Sequence, residues 1–317
     1  MSDEAVPGDH DTSKNAGVYT NPIREHYHGE IWHFTDSAAL VSMVKNRRLW
    51  ASAAPMLNDP RELVYGAKRI IWWYKTHGRE LLPKDAELHM QLTEILHTFK
   101  AHVTAVPAYV VCASTSYRVL NQWRNYGSTQ GVAVRLEPHA DLIPVDPPMR
   151  EEGFMFQPEW VEVLYDPTRQ DARIESTLQG LTKGDIAPVL KSSKKAANEL
   201  IRGVLSVLAA SMKDSAYAEE REVRLITLPF DGIELQYRGA ARGVIPYIEI
   251  THYENFGWEH AGLQGIGKPD ASLPIMEVRV GPPTGQSERQ RVYGVKSLLR
   301  SNGLNAPVNG STIKFLP

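Results

Sequence analysis

Glu219-Glu220-Arg221-Glu222-Val223-Arg224-Leu225-Ile226 places acids at alternate positions ahead of an apolar run. In an extended strand successive side chains point to opposite faces. Glu220, Glu222 and Arg224 therefore project together, while Val223 and Leu225 face the other way. One face suits a core; the other carries two carboxylates and a guanidinium. Two readings are open: a solvated strand edge with ordinary ion pairing, or the charged lip of a site.

Working outward, strand-like runs recur at Glu30–Thr35, Leu49–Ser52, Val110–Ser114, Gly131–Leu136, Trp160–Tyr165, Val244–Ile250, Ile275–Val280 and Ser311–Phe315. Asp36 or Ser37 caps a helix carrying Leu40, Val41 and Val44 on one face. A helical pattern fills about 61–102, with Ile70, Ile71, Trp73 and Tyr74 on a first helix and Leu88, Leu92, Ile95, Leu96 and Phe99 on a second. Pro83 opens the link between them. A short helix spans Val119 to Tyr126, the stretch from about Gly180 to Ala216 is helical, and another helix runs from Ser287 to Asn302. Strands and helices intermingle without strict alternation, which predicts α+β with a mixed or antiparallel sheet. Residues 1–24 are polar and aperiodic and read as a flexible leader. Residues 25–317 read as a single α+β domain with a helical insertion at about 61–102.

Of the 317 residues, 42% are hydrophobic and 23% charged, enough apolar content for a sizeable core. A formal net charge of −2 supplies no global basic field for nucleic acid. Cys112 is the single cysteine, so no intrachain disulfide forms; within Tyr109–Ala113 it reads as a small buried hydrophobe. No signal peptide and no membrane-length apolar run is seen, which points to the cytoplasm.

Phosphate loops, nucleophile elbows, Cys-x-x-Cys pairs and His-Glu-x-x-His are absent. His26, His28 and Glu30 share one strand face with His33 on the other, which lacks zinc-ligand spacing, so no metal is expected. His33 and Thr35 set an imidazole and a hydroxyl at a strand end; the plainer reading of His33 is a core histidine satisfied by backbone. Gln122-Trp123-Arg124-Asn125-Tyr126 offers a stacking surface for a planar ring, with Arg124 or Gln122 near a phosphate or amide, or else ordinary core packing. Leu57-Asn58-Asp59-Pro60 reads as a turn.

Trp32–Thr35, Leu49-Trp50, Leu57–Glu62, Cys112–Ser114, Gln122–Tyr126, Gly131–Val134, Val163–Tyr165, Glu220–Ile226 and Val278–Pro282 occur in this order. On that ordered set the chain resembles the bacterial domain-of-unknown-function family numbered twenty-nine seventy-one, from about His28 almost to the C-terminus. Val223 and Ala113 depart from the aromatics usual in the family. The opening Trp32–Thr35 strand, helix and Leu49-Trp50 strand are also similar to ADP-ribosyltransferases, including those that modify DNA.

The second resemblance implies an ADP-ribosyltransferase-like split sheet and NAD as substrate. It implies that His33 and Thr35 hold NAD, with Tyr126, or else Trp123, stacked on nicotinamide. Arg224 then holds the pyrophosphate or simply neutralises the acid row. Glu222 would then be the catalytic carboxylate with Glu220 as helper. The expected activity is transfer of ADP-ribose to a macromolecular acceptor, nucleic acid or protein, in a toxin or phage-defence setting, with no membrane partner. The rival expectations are a non-catalytic nucleotide-binding sensor or adaptor, and a metal-dependent nuclease using Glu220 and Glu222.

Overall fold

The structure is a computed structural model that describes residues 17–81, 85–126, 131–145, 154–183, 186–191, 193–230, 233–240, 243–254, 268–281, 287–311 and 313. The chain order is β1 (Gly17–Tyr19), β2 (Ile31–Thr35), α1 (Ser37–Asn46), β3 (Leu49–Ala53), α2 (Glu62–Leu81), α3 (Ala86–Ala105), β4 (Tyr109–Ser114), α4 (Leu120–Tyr126) and β5 (Val132–Leu136). It continues with β6 (Leu142–Pro144), β7 (Phe154–Phe156), β8 (Trp160–Glu162), α5 (Pro167–Gly180), α6 (Ile186–Leu190) and α7 (Lys194–Ala210). A 3₁₀ turn (Ser215–Glu220) then leads into β9 (Glu222–Thr227), β10 (Gln236–Ala240), β11 (Gly243–Glu254), β12 (Lys268–Ala271), β13 (Ile275–Val280), α8 (Glu288–Ser301) and β14 (Val308–Gly310).

This is mixed α and β around a mixed, open sheet of 12 strands, with a separate parallel pair of β1 and β7. Within the large sheet β13 and β14 are parallel and the other pairs antiparallel. β4 is the junction. β9 pairs along all of Tyr109–Ser114 on one edge. The other edge is shared: β3 pairs at Tyr109 and Val110, β2 at Ser114. Beyond β3 the sheet runs to β11 and β10; beyond β2 it runs to β5, β13 and β14.

Both faces are covered. Val223 and Leu225 of β9 join Val111 and Ala113 in a core closed by Leu40 and Val44 of α1 and Leu299 of α8. On the opposite face Val110 and Ile226 meet a helical layer in which Ile70, Leu92, Phe99, Leu200 and Val204 are buried. Each such side chain contributes about 1.5–3 kcal/mol by leaving water. The helical pair at 61–102 is thus a core cover, held on α7 and not projecting from it. A Cβ on Gly66 would overlap the Ala209 backbone, so α2 and α7 touch main chain to main chain there.

Four expectations change. Glu219–Ile226 is no sheet edge, because β9 lies between β4 and β8 and every residue of it is buried. Within 17–24, β1 pairs with β7, and Tyr19, Asn21, Pro22 and Ile23 are buried, so this part is no free leader; residues 1–16 lie outside the described residues. The long helix expected at 180–216 is broken: α5 ends at Gly180, Ser193 caps α7, and residues after Ala210 turn toward β9. The last strand falls at Val308–Gly310, ahead of the expected Ser311–Phe315, most of which is outside the described residues. Pro83 lies outside them too. Among the described residues no helix is long and apolar enough to cross a membrane.

Candidate functional site

β2 and β3 leave β4 at different points, and a cavity of about 370 Å³ opens where they diverge. Its walls include His33 and Thr35 of β2, Trp50 and Ser52 of β3, and Cys112 of β4. Gln122, Asn125 and Tyr126 of α4 face it, as does Arg238 of β10. Asp36, at its rim, caps α1 by accepting from Ala39 N at 2.7 Å.

The split explains His33. Between the β2 and β3 contacts the Cys112 carbonyl has no strand partner on that edge, and His33 Nδ1 lies 2.8 Å from its oxygen. With Nδ1–H donating there, Nε2 is left as an acceptor. Burial lowers the His33 pKa against the backbone bond, and Arg238 lowers it further, so the ring is neutral at neutral pH. The Cys112 thiol is pushed well up, first by burial and then by Glu222, which leaves it inert as a nucleophile.

Arg238 supplies positive charge. Its guanidinium lies over the Trp50 ring at 5.5 Å and donates to Ser52 Oγ at 3.1 Å. Its buried Nε has no partner, and no carboxylate lies within 4.0 Å of it among the described residues. A half-buried guanidinium with an unused donor is a place for an anion.

The charged face of β9 lies elsewhere. Glu222 and Arg224 project together as expected, but onto α2 and the end of α7. Arg224 Nε and Nη2 hold the two Glu222 oxygens at 2.8 and 2.9 Å, and Nη2 also donates to Glu62 Oε2 at 2.8 Å. Arg224 Nη1 caps α7 at the Ala210 carbonyl, 2.9 Å away. Lys213 Nζ meets Glu220 at 2.6 Å, Glu222 at 3.3 Å and Glu62 at 3.8 Å. Arg221, in the left-handed region at φ 46, makes the turn that brings both Glu220 and Glu222 onto Lys213. Burial works against ionising Glu222, but Arg224 and Lys213 outweigh it and hold its pKa down at about 2. Burial instead raises Glu62, whose Oε1 is unpartnered.

His33, Thr35 and Tyr126 therefore share one cleft. Glu222 and Glu220 do not line it, being buried behind Cys112 with all their charge matched. Arg224 is fully buried in that cluster and cannot reach a pyrophosphate. Trp123 is likewise withdrawn: it packs on Phe34 with ring centroids 5.0 Å apart and gives its indole N–H to the Tyr117 carbonyl at 2.7 Å. Of the amide and guanidinium on α4, Gln122 lines the cleft and Arg124 does not. The cleft residues that sequence reasoning did not select include Arg238, Trp50, Arg48 and Ser52. Arg238 sits in Gln236–Ala240, which has no apolar alternation to mark a strand, while Trp50 stood only as part of a strand signature. Elsewhere, Asp59 Oδ1 accepts from Arg61 N at 2.9 Å, as a turn. Among the described residues no three His, Cys, Asp or Glu converge on a metal position.

Residues 122–225 match the model of a family described as protein of unknown function (DUF2971). That stretch opens on α4, at the cleft, and closes in β9. No curated protein and no solved structure matches the chain.

Proposed function

We propose that this chain, a member of that family of unknown function through residues 122–225, binds NAD in the β2–β3 cleft and moves its ADP-ribose to a macromolecular acceptor. The observation that carries the reading is the meeting of His33, Thr35 and Tyr126 on one cavity with Arg238. A neutral imidazole acceptor and a hydroxyl suit a ribose, the phenol ring suits a planar base, and the guanidinium suits a pyrophosphate. The ADP-ribosyltransferase-like fold belongs to the same proposal, and the sharing of the β4 edge by β2 and β3 supports it.

The chemistry breaks the bond between ribose C1 and nicotinamide, which leaves neutral. The acceptor nucleophile bonds to C1 and gives up its proton. A carboxylate near C1 favours the cationic transition state over the ground state. Glu222 is the candidate for that role; it lies behind Cys112, outside the cleft lining, and is held by Arg224 and Lys213. Its occupation by Arg224 and Lys213 favours a second reading, in which the cleft binds a nucleotide without turnover.

Calorimetry with NAD, run beside an assay of free nicotinamide with DNA, RNA and protein acceptors, separates the two. Binding with nicotinamide release and a modified acceptor supports transfer, and binding without release supports the sensor. If His33→Ala, Tyr126→Ala and the wild type all fail to bind NAD, the nucleotide reading is wrong.

A further inference from the structure

A second cavity, of about 220 Å³, lies between α3, α7, β7 and the end of β9, away from the cleft. Its apolar wall is formed by Phe154, Phe156, Val207, Ile226, Leu228 and Phe230. Two hydroxyl residues interrupt that wall, Ser206 of α7 and Thr227 of β9. Both are buried, at 3% and 4% exposure, and neither hydroxyl has a hydrogen-bond partner. Buried polar atoms in native proteins are nearly always paired, so these two hydroxyls are available to bond a molecule that enters the cavity.

Charge at the same cavity narrows the chemistry. Arg202 lines it, donates to the neutral Thr98 hydroxyl at 3.1 Å, and has no carboxylate within 4.0 Å among the described residues. Glu199 also lines it, but its side chain is 55% exposed and lies 3.9 Å from Lys195, so water and a cation screen it. The volume is below the ~300–1,000 Å³ of sites for drug-sized ligands. It exceeds the roughly 150 Å³ cavity that takes benzene.

We infer that this cavity is a second binding site, for a small carboxylate with an apolar body of one ring or a short alkyl chain. The body lies against the phenylalanines, the hydroxyls of Ser206 and Thr227 gain partners, and Arg202 meets the carboxylate. The inference does not depend on what the cleft binds.

The test is calorimetry and saturation-transfer NMR of the full chain with 3-phenylpropionate, and with 3-phenylpropanol as the uncharged counterpart. Arg202→Ala is expected to weaken the carboxylate at least tenfold and leave the alcohol unchanged. Ser206→Leu, which fills the cavity, is expected to abolish binding of both. Arg238→Ala, in the other cleft, is expected to change neither. No binding of either probe at millimolar concentration overturns the inference. So does a loss of binding that follows Arg238→Ala and not Arg202→Ala, which places the probe in the cleft.

Discussion

His33 Nδ1 sits 2.8 Å from the carbonyl oxygen of Cys112, at the part of β4 left uncovered between its contacts with β2 and β3. The ring does there what a strand would otherwise do. His33→Ala orphans a buried carbonyl and is expected to cost roughly 1–3 kcal/mol in urea unfolding. The same ring sets a pH dependence. A histidine whose pKa is lowered in the fold stays neutral while the unfolded chain takes up protons, so this contribution is present above its ordinary 6.5 and is lost as pH falls below it. NAD affinity is expected to stay flat down through about pH 6.5 and to decline only at more acid pH, where the ring in the fold takes up a proton. A decline of equal steepness in His33→Ala would refute this role.

Arg238 should matter to ligand and little to fold. Among the described residues its guanidinium donates to one hydroxyl and lies over the Trp50 ring. Arg238→Ala is expected to weaken NAD at least tenfold, about 1.4 kcal/mol, and to reduce the salt dependence of binding. Arg238→Lys is expected to recover only part, since an ammonium lacks the planar fork. Calorimetry at two ionic strengths reads both.

Glu222 and Glu62 share Arg224 yet should respond differently to amide substitution. Glu222→Gln strips the bidentate partner from a fully buried guanidinium and is expected to cost roughly 3 kcal/mol, at the low end for a broken buried pair because the amide oxygen still accepts. Glu62→Gln replaces a carboxyl already pushed toward its neutral form, and is expected to cost less than half as much. Urea midpoints of the two variants decide it. Any loss of activity in Glu222→Gln has to be read after folding has been checked.

Acid should expose the same cluster. Glu222 is held near 2 in the fold against an ordinary 4.5, so its stabilisation is present above 4.5 and is lost as pH falls through about 2. Glu62 opposes it, being raised. Thermal midpoints are expected to fall between pH 4.5 and 2.5, and to fall less in Glu222→Gln. Identical slopes in the two proteins would count against this.

Gly66→Ala places a methyl on the Ala209 backbone, which has no rotamer by which to yield. A loss of roughly 1–3 kcal/mol is expected, with α2 and α7 forced apart. Thermal unfolding measures it.

Local rules carried a good part of this fold. Val223 and Leu225 do face one core with Glu222 and Arg224 opposite, Asp36 does cap α1, and Gln122–Tyr126 is a helix beside the strand at Val132–Leu136. Pairing order was not legible, because alternation says which way a side chain points and nothing about which strand lies beside it. That is why Glu222 read as an edge residue. Strands of three residues such as β1, β6 and β7 are too short to show a period. α5 went unseen because Asp166-Pro167, its cap and first residue, also reads as a turn. At the site, His33, Thr35 and Tyr126 were accessible as motif residues near strand and helix ends. Arg238 was not, since an arginine in a weakly patterned strand has nothing local to distinguish it until β10 folds over Trp50.

The sharing of β4 has a mechanical consequence. β2, β3 and β9 all take their register from the six residues Tyr109–Ser114. A proline at Val111 or Ala113 would loosen three strands together, so the two arms of the sheet cannot melt independently of each other. The cleft between those arms is then the position at which a bound molecule can act as a splint. It would join β2 to β3 where main-chain pairing does not, and slow amide exchange on both sides of the fork.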